Sequence, residues 1–152
     1  MEHSLSKLHA LITQLGFEAS IQEITGQVHF MLNAEEYPIP CFVKSFSDGK
    51  NLQLIAFLPF EYREDCLSQL SRALHLLNKE IDMPGFGLDE QNGMSFFRAI
   101  IPCPQAKISK SLVRSYIEIC KKAVSKFLPV VAAIGLGKST VEELQTASNA
   151  KS

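Results

Sequence analysis

The spacing of apolar residues changes along the chain, and each change marks a boundary between helix and strand. Over residues 4–15 the apolar positions recur every three or four residues, which predicts an amphipathic helix, and Gly16 follows where a left-handed cap is needed. Over residues 17–60 apolar and polar positions alternate, as is typical of strands. The pattern predicts four antiparallel strands in a meander, at residues 18–24, 27–32, 39–46 and 52–58.

A second helix is predicted over residues 61–81, where large apolar residues repeat with alternating steps of three and four. A repeat this regular is typical of helices that pair with one another. We therefore expect part of it to form a homodimer interface, with a plain core helix as the alternative. The expected interface residues are Leu67, Leu70, Leu74 and Leu77.

A hairpin follows, with strands predicted at residues 86–89 and 94–101. Ser109 is a candidate cap for a third helix that carries two adjacent apolar stripes. Pro129 lacks a backbone donor, so we expect it to kink or end that helix.

A short last helix is predicted to begin near Val141, because Ser139 and Thr140 each precede a glutamate by three residues. The order is then helix, four strands, helix, two strands, helix, short helix. Strands and helices grouped in runs are typical of an α+β fold with an antiparallel sheet. We expect one domain over residues 1–147 and a disordered tail over residues 148–152.

The third and fourth predicted strands are apolar on both faces, whereas a strand with one wet face would alternate. If the helices cover the side that bears Ile39, Cys41 and Val43, a second apolar patch remains on the other side. We expect that patch to bind a client segment or a subunit, with cover by another part of the same chain, for example its last helix, as the alternative. The patch consists of Phe42, Phe46, Ile55 and Phe57.

Composition and charge narrow the classes of partner. Hydrophobic residues make up 46% and charged residues 20%, the balance of a globular protein that folds alone. The formal net charge is −1 and no basic face is evident, so nucleic acid is not an expected partner. No segment approaches the roughly 20 apolar residues that span a bilayer, and the N-terminus lacks signal-peptide features. We expect a cytoplasmic protein with no membrane partner.

Candidate chemistry is sparse. The four cysteines stand singly in or beside apolar runs, which favours small core residues in a reducing compartment. The histidines have no metal-ligand spacing. We expect no catalytic residue, metal or other cofactor. The cysteines are Cys41, Cys66, Cys103 and Cys120.

One segment imitates a nucleotide site. Residues 132–139, from Ala132 to Ser139, fit a relaxed phosphate-loop pattern, and residues 127–134 could form the strand before it. A working phosphate loop needs a parallel sheet and a carboxylate for magnesium, whereas the upstream strands are predicted to be antiparallel. We therefore expect a structural connector, and keep nucleotide binding through Lys138 and Ser139 as the alternative function.

The second half of the chain contains a set of short segments that together are typical of one protein family. They are Asn78-Lys79-Glu80-Ile81, Gly85-Phe86-Gly87-Leu88-Asp89, Gly93, Phe97-Arg98, Pro102, Phe127-Leu128-Pro129 and Gly137-Lys138-Ser139. Through these residues the chain resembles the YbjN family of small bacterial proteins, whose fold is that of type III secretion chaperones. The resemblance implies a non-enzymatic and often dimeric protein that regulates or chaperones other proteins. We therefore expect a chaperone-like or regulatory module whose partner is another protein, either a client or a regulatory target.

Overall fold

A computed structural model describes residues 2–150 of the chain. Within these residues, four α-helices and six strands follow in the order that the sequence predicts, so the predicted α+β class is confirmed. The closer likeness to type III secretion chaperones stays a prediction. The elements are α1 Glu2–Gln14, β1 Ala19–Gln22, β2 Gln27–Ala34, β3 Tyr37–Phe46, β4 Asn51–Phe57, α2 Leu67–Glu80, β5 Phe86–Asp89, β6 Met94–Pro102, α3 Lys110–Gly135 and α4 Val141–Ala150.

The six strands form one antiparallel sheet in the order β1-β2-β3-β4-β6-β5. The predicted four-strand meander is confirmed, and the second hairpin joins it through the pairing of β6 with β4. The two outer strands, β1 and β5, have 4 residues each, whereas their neighbours β2 and β6 have 8 and 9. Parts of β2 and β6 therefore extend past their outer neighbours.

The core lies between one face of the sheet and the helices. Every second residue of β2, β4 and β6 is buried on that side, as are Ile39, Cys41 and Val43 in the middle of β3, which gives the period of two expected of a half-covered sheet. α1 and α3 contact β2, α3 contacts β6, and α2 contacts β5 and α3. The buried row through the centre of the sheet is Phe30, Cys41, Ala56 and Phe97.

The predicted ends of two helices are confirmed. Gly16 has a φ of 100° and its N–H donates to the Thr13 carbonyl just after α1, the left-handed geometry that glycine adopts without a steric cost. Before α3, the Ser109 hydroxyl accepts a hydrogen bond from the Leu112 N–H at 3.3 Å. These caps satisfy backbone groups that have no partner within the helix.

α3 continues through Pro129 to Gly135, so of the two predicted effects of Pro129, a kink or the end of the helix, the end of the helix does not occur. Proline cannot donate to the carbonyl four residues earlier, here that of Ser125. Pro129 lies on the exposed side of α3, where water can hydrate that carbonyl, while Leu128 and Val131 are buried in the core. Packing of these side chains holds the helix together across the missing bond.

α2 begins at Leu67, six residues later than predicted, because the preceding segment is held by other contacts. The Arg63 N–H donates to the Gly135 carbonyl at 2.9 Å, which ties this segment to the end of α3. The Tyr62 hydroxyl shares a hydrogen bond with the hydroxyl of Ser95, a fully buried residue of β6. The loop before α2 is thus fixed at both residues.

The α2 leucines proposed for a dimer interface belong to the core of the single chain. Leu70, Leu74 and Leu77 are 0%, 2% and 4% exposed, and Leu67 is half-buried. The first three are covered by the chain itself, since α2 packs against α3 and β5, so they are not available to a second subunit. These three leucines therefore fit the alternative of a plain core helix. A homodimer stays a prediction, and no interface is assigned to it.

α4 begins at Val141, as predicted, and docks on α2. The Thr140 hydroxyl accepts from the Glu143 N–H at 3.2 Å, which confirms one of the two predicted caps. The buried Val141 donates its N–H to Gln69 Oε1 at 2.8 Å. α4 continues to Ala150, so residues 148–150 of the predicted tail belong to a helix, and residues 151–152 lie outside the described residues.

Candidate protein-binding surface

The second face of the sheet carries no buried residue on its four inner strands. Every residue of β2, β3, β4 and β6 that points away from the helices is half-buried or exposed. We call this side the open face. Its two central rows are His29, Phe42, Ile55 and Arg98, and Met31, Pro40, Phe57 and Phe96.

Four aromatic rings cross the open face in a continuous line, the aromatic stripe of His29, Phe42, Phe57 and Phe96. The ring centroids of His29 and Phe42 are 5.1 Å apart, those of Phe42 and Phe57 5.8 Å, and those of Phe57 and Phe96 6.4 Å. The two Phe–Phe contacts are edge to face, the arrangement that ring quadrupoles favour. The Arg98 guanidinium lies 5.9 Å from the Phe96 ring centroid and ends the stripe with a cation–π contact.

All four residues predicted for the apolar patch lie on the open face and are half-buried. The structure brings three of them together: Phe42 is directly opposite Ile55, and its ring contacts that of Phe57. Phe46 is opposite Asn51 at the end of the hairpin, away from the stripe.

The last helix does not cover this patch. α4 packs on α2, in the helix layer on the other side of the sheet, so the alternative of cover by that helix is wrong. The four residues of the aromatic stripe are half-buried, and none of them belongs to the buried core.

The sequence did not predict His29 and Phe96 as members of the aromatic stripe, nor Arg98 at its end. The signal for Phe96 was present, because the consecutive residues Phe96 and Phe97 must point to opposite faces of a strand, and only Phe97 can lie in the core. What the sequence does not show is that β6 pairs with β4, which places Phe96 and Arg98 beside Phe57 and Ile55.

On its four inner strands the open face carries charges of one sign, and Asp89 of the outer strand β5 lies on the same side, opposite Met94. Its positions on β2, β3, β4 and β6 include Lys44 and Arg98 and no aspartate or glutamate. Neither cation forms an ion pair with a described residue, since the pairs found there are Arg63 with Asp65 and Arg72 with Glu142. A protein of net charge −1 thus presents a locally positive and apolar surface.

The phosphate-loop-like segment does not have the geometry of a nucleotide site. Residues 127–134, which the alternative function takes as a strand, are part of α3. The amide groups that would cradle a phosphate donate to helix carbonyls instead: Lys138 and Ser139 N–H donate to the Ala133 carbonyl at 2.8 and 3.2 Å, and Gly137 N–H donates to that of Ile134. The segment is a helix-to-helix connector, so this alternative has no structural support.

The cysteines have the character of core residues. Cys41, Cys103 and Cys120 are buried, and Cys66 is half-buried. Burial raises the pKa of the Cys41 and Cys103 thiols, and raises that of Cys120 to about 12, because a thiolate would lose its hydration. A nucleophilic cysteine needs a lowered pKa, so these thiols stay protonated near neutral pH.

Two further observations concern the described residues alone. Among residues 5–146, whose side chains the structure describes, no group of three or more His, Cys, Asp or Glu side chains is placed to hold a metal ion. In the same part of the chain, no helix combines the length and apolarity that crossing a membrane requires.

Comparison with known protein families relates most of the chain to one of them. The family model of YbjN, described as "Putative bacterial sensory transduction regulator", matches residues 4–133. The matched range covers α2, all six strands and most of α1 and α3, and it ends before the connector at residues 136–140. No curated protein matches the chain.

Proposed function

Because the chain belongs to the YbjN family, we propose that it is a non-enzymatic regulatory protein that acts by binding another protein through its open face. The observation that supports this proposal is the aromatic stripe, four contiguous rings on a sheet face that the described helices leave uncovered. A contiguous apolar surface of this kind favours association, because covering it removes apolar area from water.

The composition of the stripe suits a protein partner. Aromatic side chains and arginine are enriched in protein interfaces, and each ring supplies a large contact area while losing only two torsional freedoms. The contacts between the rings hold Phe42, Phe57 and Phe96 in place before a partner arrives. Binding therefore costs little additional side-chain entropy.

The charge of the open face indicates the character of the partner. Lys44 and Arg98 have no carboxylate near them on the face, so a partner surface with acidic residues around an apolar centre would be complementary. A second copy of this chain meeting face to face would bring the like charges of the inner strands together, and the face has a single strand carboxylate, Asp89 at the outer strand β5, to offset them. We therefore favour a different protein as the occupant of this face.

The free thiols support a cytoplasmic location as part of the proposal. Four free cysteines, three of them buried in the core, suit a reducing compartment in which disulfides do not form. This supports a regulator that works in the cytoplasm.

The test uses one open-face variant and one matched control. Phe57→Glu places a charge in the stripe, and Ile119→Glu places the same charge on α3, where Ile119 is 38% exposed in the helix layer. A protein captured from the source organism would be identified, purified and titrated against the wild type and both variants. We expect at least a tenfold loss of affinity for Phe57→Glu, no change for Ile119→Glu, and a native circular dichroism spectrum for both.

A second variant covers the possibility that Phe57→Glu unfolds. Lys44→Glu reverses a charge on the open face at a half-buried position without creating a cavity, and it should weaken the same partner several-fold. The proposal is wrong if folded open-face variants bind the purified partner as tightly as the wild type does.

A further inference from the structure

We infer that the exposed edge of β6 is a second binding site, which takes an extended peptide of alternating acidic and apolar residues as an added strand. β5 pairs with β6 only from Met94 to Phe97, and β6 continues to Pro102. The last part of β6 therefore has no strand beside it on that side, although β4 pairs with it on the other side as far as Pro102.

Three backbone hydrogen bonds show which groups of β6 face this edge. The Leu58 N–H donates to the Ser95 carbonyl and the Cys103 N–H donates to the Lys50 carbonyl, so the odd-numbered residues of β6 direct their backbone groups to β4. The Arg98 N–H donates instead to the Gly85 carbonyl at 2.9 Å, on the β5 side. Since backbone direction alternates along an antiparallel strand, the even-numbered residues face the edge.

Ile100 is the residue that this alternation leaves unpaired. Its N–H and carbonyl point to the edge, and neither makes a hydrogen bond with any described residue. The Pro102 carbonyl points the same way, while its ring nitrogen has no proton to donate. The Arg98 carbonyl faces the same edge but lies against Gly85. Beyond it the edge offers one donor and two acceptors, enough to set the register of one short strand and too little to pair with a long one.

A groove of about 460 Å³ runs beside this edge. Its wall is the turn before β5, which Asn78 holds in place: Asn78 Oδ1 accepts from the N–H groups of Gly85 and Phe86, at 3.1 and 2.9 Å, and its Nδ2 donates to the Phe86 carbonyl. Because the turn is fixed by three hydrogen bonds, the groove exists before any peptide binds. Peptide binding therefore does not have to pay the entropy cost of ordering this turn.

The lining of the groove specifies the peptide. A strand residue opposite Ile100 would point its side chain to the open-face side, where Arg98 is exposed and Ile100 is 43% exposed. The residues next to it would point to the other side, where Met83 and Tyr116 line the groove. Arg98 is the single charged residue among the lining residues. An acidic residue on one side and apolar residues on the other therefore match this site.

The probe is the peptide acetyl-(Glu-Val)3-amide, titrated into the ¹⁵N-labelled protein. We expect saturable shifts of the Ile100 and Arg98 amide signals and slower solvent exchange of the Ile100 N–H. Affinity should fall at least fivefold for acetyl-(Lys-Val)3-amide and for the Arg98→Gln variant. Lys122→Gln removes a positive charge from an exposed position of α3 and should leave binding unchanged.

Two methylated peptides test strand addition itself. One carries N-methyl groups on its glutamates and the other on its valines. Only one set of alternate N–H groups can face β6, so only one of the two peptides should retain binding. Equal affinity of both methylated peptides, absence of saturable binding, or binding that ignores Arg98→Gln would each overturn the inference. Phe96 and Arg98 line the groove and also lie on the open face, whereas Phe57 and Lys44 lie on the open face alone. Phe57→Glu and Lys44→Glu therefore test the open-face proposal and the methylated peptides test the groove, so that either proposal can fail without the other.

Discussion

Phe42 and Phe57 meet edge to face on the open face, with ring centroids 5.8 Å apart and ring planes inclined at 72°. They are not directly opposite each other, since Phe42 is opposite Ile55, and their contact is diagonal between β3 and β4. Diagonal neighbours are within reach of aromatic side chains. The stripe therefore crosses β2, β3, β4 and β6 obliquely, and a partner that covers it must contact several strands at once.

The two faces of the sheet should respond differently to the loss of an aromatic ring. Phe97→Ala empties a fully buried site on β6 and should lower the free energy of unfolding by about 3–5 kcal/mol. Phe57→Ala removes a half-buried ring and should cost about 1–2 kcal/mol, because water already reaches the site. Urea denaturation of both variants measures the difference. Equal losses would show that Phe57 is a core residue.

Gly135 should be intolerant of a side chain. A Cβ at this position would collide with the ring of Tyr62, whose hydroxyl is hydrogen-bonded to Ser95. Gly135→Ala should therefore lower the free energy of unfolding by about 1–3 kcal/mol, in spite of the higher helix propensity of alanine.

A double-mutant cycle assigns that loss to the collision. Tyr62→Ala removes the obstructing ring, so the loss caused by Gly135→Ala should be much smaller in the Tyr62→Ala background. Full additivity of the two losses would exclude the collision as the cause.

The two polar contacts of α4 with α2 should differ in strength. Gln69→Ala leaves the N–H of the buried Val141 without its acceptor, which should cost about 1–3 kcal/mol and increase amide exchange in α4. Arg72→Ala breaks an ion pair in which both side chains are more than half exposed, so it should cost less than about 0.5 kcal/mol. Hydrogen exchange of the two variants compares them directly. A larger effect of Arg72→Ala would contradict this ranking.

Stability should decline at alkaline pH. Burial raises the pKa of Tyr62 from 10.0 to about 12, so the neutral phenol is favoured in the folded state. The contribution is complete below pH 10.0, the ordinary value, and is lost as pH rises toward about 12. The buried thiol of Cys120, raised from 9.0 to about 12, acts in the same direction from pH 9.0 upward.

Denaturation curves at several pH values from 8 upward measure this decline. Tyr62→Phe removes one titrating group and should make the decline above pH 10.0 less steep than in the wild type. An unchanged slope would show that Tyr62 ionises as easily in the folded chain as in the unfolded one.

Local signals in the sequence were sufficient for most of the secondary structure. Gly16, Ser109 and Thr140 mark helix ends through their own backbone or side-chain chemistry, and these predictions are confirmed. Pro129 does not end α3, because burial of its neighbours in the core outweighs the loss of one backbone hydrogen bond. An apolar run as short as residues 127–134 is compatible with either a strand or a helix, and the contacts of the folded chain decide between them.

The α2 leucines show a second limit. The same repeat serves a helix that pairs with another subunit and a helix that packs on its own sheet, because both need one continuous apolar stripe. The choice depends on how much of the stripe the rest of the chain covers. Here α3 and β5 pack against α2, and Leu70, Leu74 and Leu77 are buried in the core.

The sequence by itself determined the α+β class, the order of the elements and the excess of apolar residues on β3 and β4, since each of these follows from spacing within a short segment. Only the tertiary structure decided that the helices gather on one side and that β6 lies beside β4. It also decided that the pairing of β5 with β6 reaches no further than Phe86 and Phe97, which leaves Ile100 at an exposed edge. These are contacts between residues far apart in the chain. The free energy of these contacts depends on which surfaces meet. The spacing of residues within one segment does not indicate which distant segment that surface will contact.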